Sequence, residues 1–160
     1  MKRTITGFHQ DEEDHWVAEL DCGHGQHMRH TPPFYERPWV LTVEGRASRL
    51  GTEVECLKCD QFEWPDGLSQ FRQTPEFSEE TIPAGLLKDH ATGEGVWGKI
   101  EIQEGELLYK PEIGEPIMLE PARDGVVVPE MKHAVEPVGS VRFLVRFYRL
   151  SINREDQSEG

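Results

Sequence analysis

The stretch CGHGQHMRH, residues 22–30, places one thiol and three imidazoles within nine positions, and CLKC at residues 56–59 adds two more thiols. Thiolate and imidazole are the donors that a borderline-soft divalent ion such as zinc prefers, four at a time and in a tetrahedron. Structural sites of this kind draw one donor pair from each of two turns. Cys56 and Cys59 form one pair. Cys22 and His24 suit the other, because Gly23 and Gly25 permit the tight backbone that lets donors two residues apart converge. His27 and His30, three apart and therefore on one side of a helical turn, stand as alternatives to His24. Four protein donors leave no position for water, so the spacing points to a zinc that staples the chain and does not react.

Two further histidines lie in the second part of the chain, His90 in KDHATGEG and His133 in VPEMKHAVEP. Alone they are an incomplete set: a second divalent metal there needs waters or a carboxylate such as Glu94, Glu101 or Glu130. Without a metal, His90 is expected to cap a strand end and His133 to pack near a barrel mouth. The sequence has no G-x-S-x-G elbow and no glycine-rich nucleotide loop, and its cysteines are engaged already. No catalytic residue follows.

These side chains need elements to hold them. HWVAELDC alternates as a strand with Trp16, Ala18 and Leu20 on one face, delivering Cys22 to a turn. A short helix is expected from about Thr42 to Gly51, and TEVECLKCD returns as a strand into the second turn. Residues 1–62 therefore read as a small α+β zinc-knuckle domain, and residues 63–71, with Pro65 and Gly67, as a linker. Beyond it the texture changes to short strands punctuated by Gly and Pro. GVWGKIEI and GELLYK flank an expected turn at QEGE, EPIMLEP and DGVVVPE follow, and SVRFLVRFY points Val141, Phe143, Val145 and Phe147 to one side and Arg146 to the other. Residues 72–150 thus predict an all-β barrel or sandwich, and residues 151–160 a polar tail.

The Cys-x-His and Cys-x-x-Cys pairs resemble one half of a RING finger. Residues 7–60 as a whole, with WVAELDCGHGQHMRHTPP, RPWVLT and CLKCD, resemble a small bacterial zinc-binding-type domain family of unknown function. Residues 72–149, through TPEFSEETIPAGLLKDHATGEGVWGKIEIQEGELLY, VPEMKHAVEP and RFLVRFY, resemble the small cupin domain of tellurite-resistance, TehB-like proteins. That second resemblance implies a mainly β chain whose larger part is a double-stranded β-helix. It does not carry methyl transfer, because the methyltransferase region of those proteins has no counterpart here. Departures from the cupin pattern matter: Gly98 stands where a metal-binding Glu is usual, Ala91 and Thr92 follow His90 with no companion histidine, and Arg146 replaces an acid.

Charge narrows the partners. With 30 acidic against 17 basic residues the chain carries −13, and even the first sixty residues are net acidic, so general nucleic-acid binding is not expected. No secretory leader and no membrane-length apolar run is seen, and three cysteines suit a reducing, cytoplasmic setting. The reading that asks least of these residues is a zinc-stapled protein whose cupin binds a small molecule or oxyanion in a tellurite or redox-stress type of response. Two others compete: a metal-dependent cupin enzyme, of oxygenase or isomerase type, using His90 and His133, and an adaptor binding protein or RNA through Arg29, His30 and Trp39. Cupins commonly pair through their sheets, which adds an expected homodimer.

Overall fold

The structure, a computed structural model, describes residues 1–151, so all of the expected polar tail but Ser151 lies outside the described residues. The chain is mainly β and divides into two compact units, Met1–Asp66 and a second beginning at Gly67.

The first unit is a four-stranded antiparallel sheet. Strands β1 (Lys2–Gln10), β2 (Trp16–Leu20), β3 (Gly25–His27) and β4 (Glu53–Glu55) lie in the order β3-β2-β1-β4. Helix α1 (Val43–Arg49) begins where the sequence places it: the Thr42 side chain accepts from the Gly45 amide at 3.0 Å, a local N-cap. A short helix α2 (Leu57–Asp60) follows β4. Ile5, Ala18, Leu20, Met28 and Val40 are buried at the core. The expected face of β2 is only partly right. Val17 is buried along with Ala18 and Leu20, whereas Trp16 is half-buried, so the strand is covered on both sides. The central strand β1 has no counterpart in the sequence reading. Its place comes from β2 and β4 pairing on either side of it.

The second unit is a six-stranded antiparallel sheet built on two long strands. β5 (Leu68–Gln73) and β6 (Phe77–Ser78) pair with one edge of β10 (His133–Leu150), whose other edge pairs with β7 (Trp97–Pro111) from His133↔Pro111 to Tyr148↔Trp97. β8 (Ile117–Leu119) and β9 (Gly125–Val127) pair with the far edge of β7. Two expectations change. Leu68–Gln73 is a strand although residues 68–71 read as linker; nearly every side chain in it is exposed, so backbone pairing to β10 makes it a strand and not an apolar pattern. The expected turn at QEGE is a bulge inside β7. Gln103 is the extra residue between the pairs Phe143↔Ile102 and Arg142↔Glu104, and it shifts the inward side chains from Ile100 and Ile102 to Leu107 and Tyr109. Opposite it, β10 gains two residues, Gly139 and Ser140, so the inward set stays odd-numbered through Val135, Val141, Phe143 and Val145. These two faces meet as one core.

Candidate metal centre and ligand cavity

Two turns build the first site. Beyond β2 the chain reverses tightly, with Gly23 N–H donating to Leu20 O and Leu20 N–H to His24 O, and Gly23 in a left-handed conformation at φ 97°. Cys22 and His24 emerge from this turn on the same side. At the end of β4 the Cys56 amide donates to the Met1 carbonyl at 2.7 Å, and α2 brings Cys59 round to face it.

All four side chains are buried, and their donor atoms lie within 4.8 Å of one another. His24 Nδ1 stands 3.4, 3.3 and 3.5 Å from the sulfurs of Cys22, Cys56 and Cys59, and Cys22 Sγ is 3.9 Å from Cys56 Sγ. A tetrahedral ion with metal–sulfur bonds of about 2.3 Å and a metal–nitrogen bond of about 2.0 Å has donor–donor edges of about 3.5 to 3.8 Å. The observed spacings are those edges. The three cysteines are free thiols, so no disulfide competes for them.

The surroundings prepare the donors. His24 Nε2 is 2.6 Å from the Glu63 carbonyl, which can only accept, so Nε2 carries the proton and Nδ1 turns its lone pair to the sulfurs. Arg3, 2 % exposed, donates from Nε to Cys59 Sγ at 3.4 Å. Packed this closely, the donors shift one another's protons. Contact with Cys56 and Cys59 pushes the Cys22 thiol up, while contact with Cys22 and Cys59 holds Cys56 down. Burial opposes a charge on His24, yet the Cys56 and Cys59 sulfurs raise it to about 10. A metal ion held by these four donors would displace that proton.

The alternatives to His24 lie elsewhere. His27 is exposed with Nε2 2.9 Å from Asp11 Oδ2, and His30 Nδ1 accepts from the Arg37 amide at 2.9 Å. Of the remaining residues singled out in this unit, Arg29 is exposed, and Trp39 is half-buried with the Arg49 guanidinium 4.7 Å over its ring. Sequence reasoning missed Arg3. The one signal for it was its alternation with buried Ile5 along β1.

In the second unit His90 and His133 meet. Their backbones exchange hydrogen bonds of 2.7 and 2.8 Å and their rings stand edge to face, 5.5 Å between centroids. Both line a cavity of about 230 Å³ with Phe77, Ile100, Val127, Val135, Phe143, Val145 and Phe147 among its walls. Arg72, Thr74 and Thr92 are its other polar residues. Burial pushes the His133 pKa down, against the Met131 carbonyl 3.3 Å from Nδ1, which favours the neutral ring. Among the described residues no carboxylate lines the cavity. Glu101 points away and pairs with Arg146, which also donates to Gln73 at 2.7 Å, while Glu94 and Glu130 are exposed. The outward side chain of Arg146 is thus held by Glu101 and Gln73 within the same sheet.

Residues 6–63 match a family described as a protein of unknown function (DUF3565), and residues 72–145 match the TehB-like domain. Among solved structures, the chain is similar to a protein from E. coli strain K12, with a TM-score of 0.52 and 23% identity over 56% of this chain and 97% of that one. It is also similar to TehB from Haemophilus influenzae, with a TM-score of 0.50 and 22% identity over 53% of this chain and 32% of that chain. At these identities the likeness is one of fold, and the match spans about a third of TehB. No curated protein matches the chain.

Proposed function

We propose that this two-unit, metal-binding protein is a binding protein held together at one end by zinc, with a cupin-like double-stranded β-helix that receives a small molecule. The reading starts from the two matched families, one over each unit. Zinc follows from the donor chemistry: three thiolates and an imidazole at tetrahedral spacing are a structural set, closed to water. A tellurite or redox-stress type of response rests on the resemblance to TehB-like proteins. Among the described residues no helix is long and apolar enough to cross a membrane.

The observation that carries the binding reading is the cavity, walled largely by β-strands and lined by two imidazoles with, among the described residues, no carboxylate. Ligand sites are concave and mostly apolar with few polar groups, and this one has that composition. A second reading, a metal-dependent enzyme, is favoured by the adjacency of His90 and His133. It requires further ligands that the cavity wall does not supply.

Metal analysis of the intact chain separates the two. The binding reading expects one zinc per chain, lost in Cys59→Ser and fully kept in the double variant His90→Ala, His133→Ala. A second metal equivalent that disappears in the double variant would replace it with the enzyme reading.

A further inference from the structure

The cavity of the second unit is selective in what it offers. The Thr74 hydroxyl is occupied, donating to the Pro75 carbonyl at 2.8 Å and accepting from the Val145 amide at 3.0 Å, and the Thr92 hydroxyl donates to the Val96 carbonyl at 2.7 Å. Neither has a proton left to donate to an anion. His133 is different. Its Nδ1 faces the Met131 carbonyl, which can only accept, so Nδ1 carries the proton and Nε2 is left as a bare acceptor. His133 is buried and lines the cavity, and among the described residues its Nε2 has no hydrogen-bond partner, which leaves that nitrogen to meet a ligand. Arg72 supplies the one charge. Its guanidinium lies 5.0 Å over the Phe147 ring and forms no ion pair with a carboxylate among the described residues. His90, its ring edge to face with that of His133, is the remaining polar group, and the other walls are apolar.

These features set the ligand class. A small inorganic oxyanion holds its water tightly on every side, and against mostly apolar walls, with Arg72 and His90 the remaining donors, it loses most of that water without replacement. An organic acid loses nothing by burying its apolar body and keeps one charged contact. At a water's share of volume, ~30 Å³, a space of about 230 Å³ holds on the order of eight non-hydrogen atoms. Resting on the reading of the second unit as a small-molecule binder, we infer that its cavity takes a small organic acid: the carboxylate pairs with Arg72, the apolar body packs among Phe77, Phe143 and Phe147, and a hydroxyl or amine donor on the ligand meets His133 Nε2. This sets it apart from inorganic tellurite. In a chain of net charge −13, an unpaired arginine at the cavity is what admits an anion at all.

Calorimetric titration of the full chain with benzoate, 4-hydroxybenzoate, benzyl alcohol and sodium tellurite tests the inference. Benzoate and 4-hydroxybenzoate should bind, benzyl alcohol at least tenfold more weakly and tellurite not measurably. Arg72→Met, an exposed position that the fold does not need, should weaken benzoate about tenfold and leave benzyl alcohol unchanged. His133→Phe should abolish any preference for 4-hydroxybenzoate over benzoate. Tellurite bound in the cavity while the acids fail overturns the organic-acid assignment and leaves the small-molecule reading standing. Benzyl alcohol binding as well as benzoate, with Arg72→Met silent, overturns the anion. Failure of all four probes overturns both.

Discussion

At the metal cluster, one side chain does what the four donors cannot. Three thiolates around a divalent ion leave a net negative charge in a buried place, and burial of uncompensated charge is costly. The Arg3 guanidinium beside Cys59 Sγ cancels it. Arg3→Met should therefore keep the fold at saturating zinc but release the ion 10- to 100-fold more readily, about the loss seen when groups that support metal ligands are removed. Competition against a chromophoric chelator measures this, and unchanged affinity would show that Arg3 serves only packing. His133 gives a second prediction. Burial holds its pKa below the ordinary value, so the unfolded chain takes up a proton that the folded chain refuses. The stability this group contributes is present above about pH 6.5 and is lost as pH falls from there toward its folded pKa. The thermal midpoint of the second unit should drop between pH 7.5 and pH 5, and His133→Phe should flatten that part of the slope. Donor identity was legible because turn geometry is local: Gly23 and Gly25 flank His24 in the chain as they do in space. Arg3 and Glu63 were not legible, since both reach the cluster through contacts more than thirty residues away.

Among the elements, the paired long strands of the second unit show how a local signal misleads. QEGE carries a glycine between acidic residues and reads as a turn, and Gly105 is indeed left-handed at φ 86°. Yet β10 runs alongside and the strand continues, so the same glycine serves a bulged ladder. A Cβ there would stand 2.1 Å from the Ser140 carbonyl oxygen, and the facing Gly139, at φ 69°, has nothing within 4 Å of the equivalent position. The pair makes a controlled comparison. Gly139→Ala should cost about 1 kcal/mol, the penalty of the left-handed backbone alone. Gly105→Ala should cost about 3 kcal/mol or more, because the ladder must also part. Urea denaturation reads both, and equal costs would mean that the bulge absorbs the added atom. Strand β1 escaped sequence reading for a related reason: KRTITGFHQ alternates weakly, and its central place is conferred by β2 and β4.

Over the whole molecule, each unit has its own sheet and its own buried residues, and among the described residues only the first has a thiol–imidazole cluster. Structural zinc in small domains contributes folding free energy outright, with apparent values of about 10 kcal/mol or more in isolated fingers. A strong chelator should therefore melt the first unit and spare the second. Calorimetry should show two transitions, one that chelator abolishes and zinc restores, and one that neither moves. A single transition that shifts as a whole would mean that the two units unfold together. The division of the chain was visible in its texture, where histidine and cysteine give way to valine, glycine and proline. The exact edge was not, because Leu68–Gln73 owes its strand to backbone pairing with residues more than seventy positions further on.

The imidazole of His24 is gripped from two sides, by the cluster at Nδ1 and by the Glu63 carbonyl at Nε2. Once the ion is withdrawn, only hydrogen bonds join the two turns, so the Glu63 carbonyl is tied to a ring whose position the metal no longer fixes, and the peptide segment leaving the first unit is moored more loosely. Glutamyl endopeptidase should then cut after Glu63 in demetallated protein and leave the loaded form intact, so limited digestion becomes a gauge of metal occupancy.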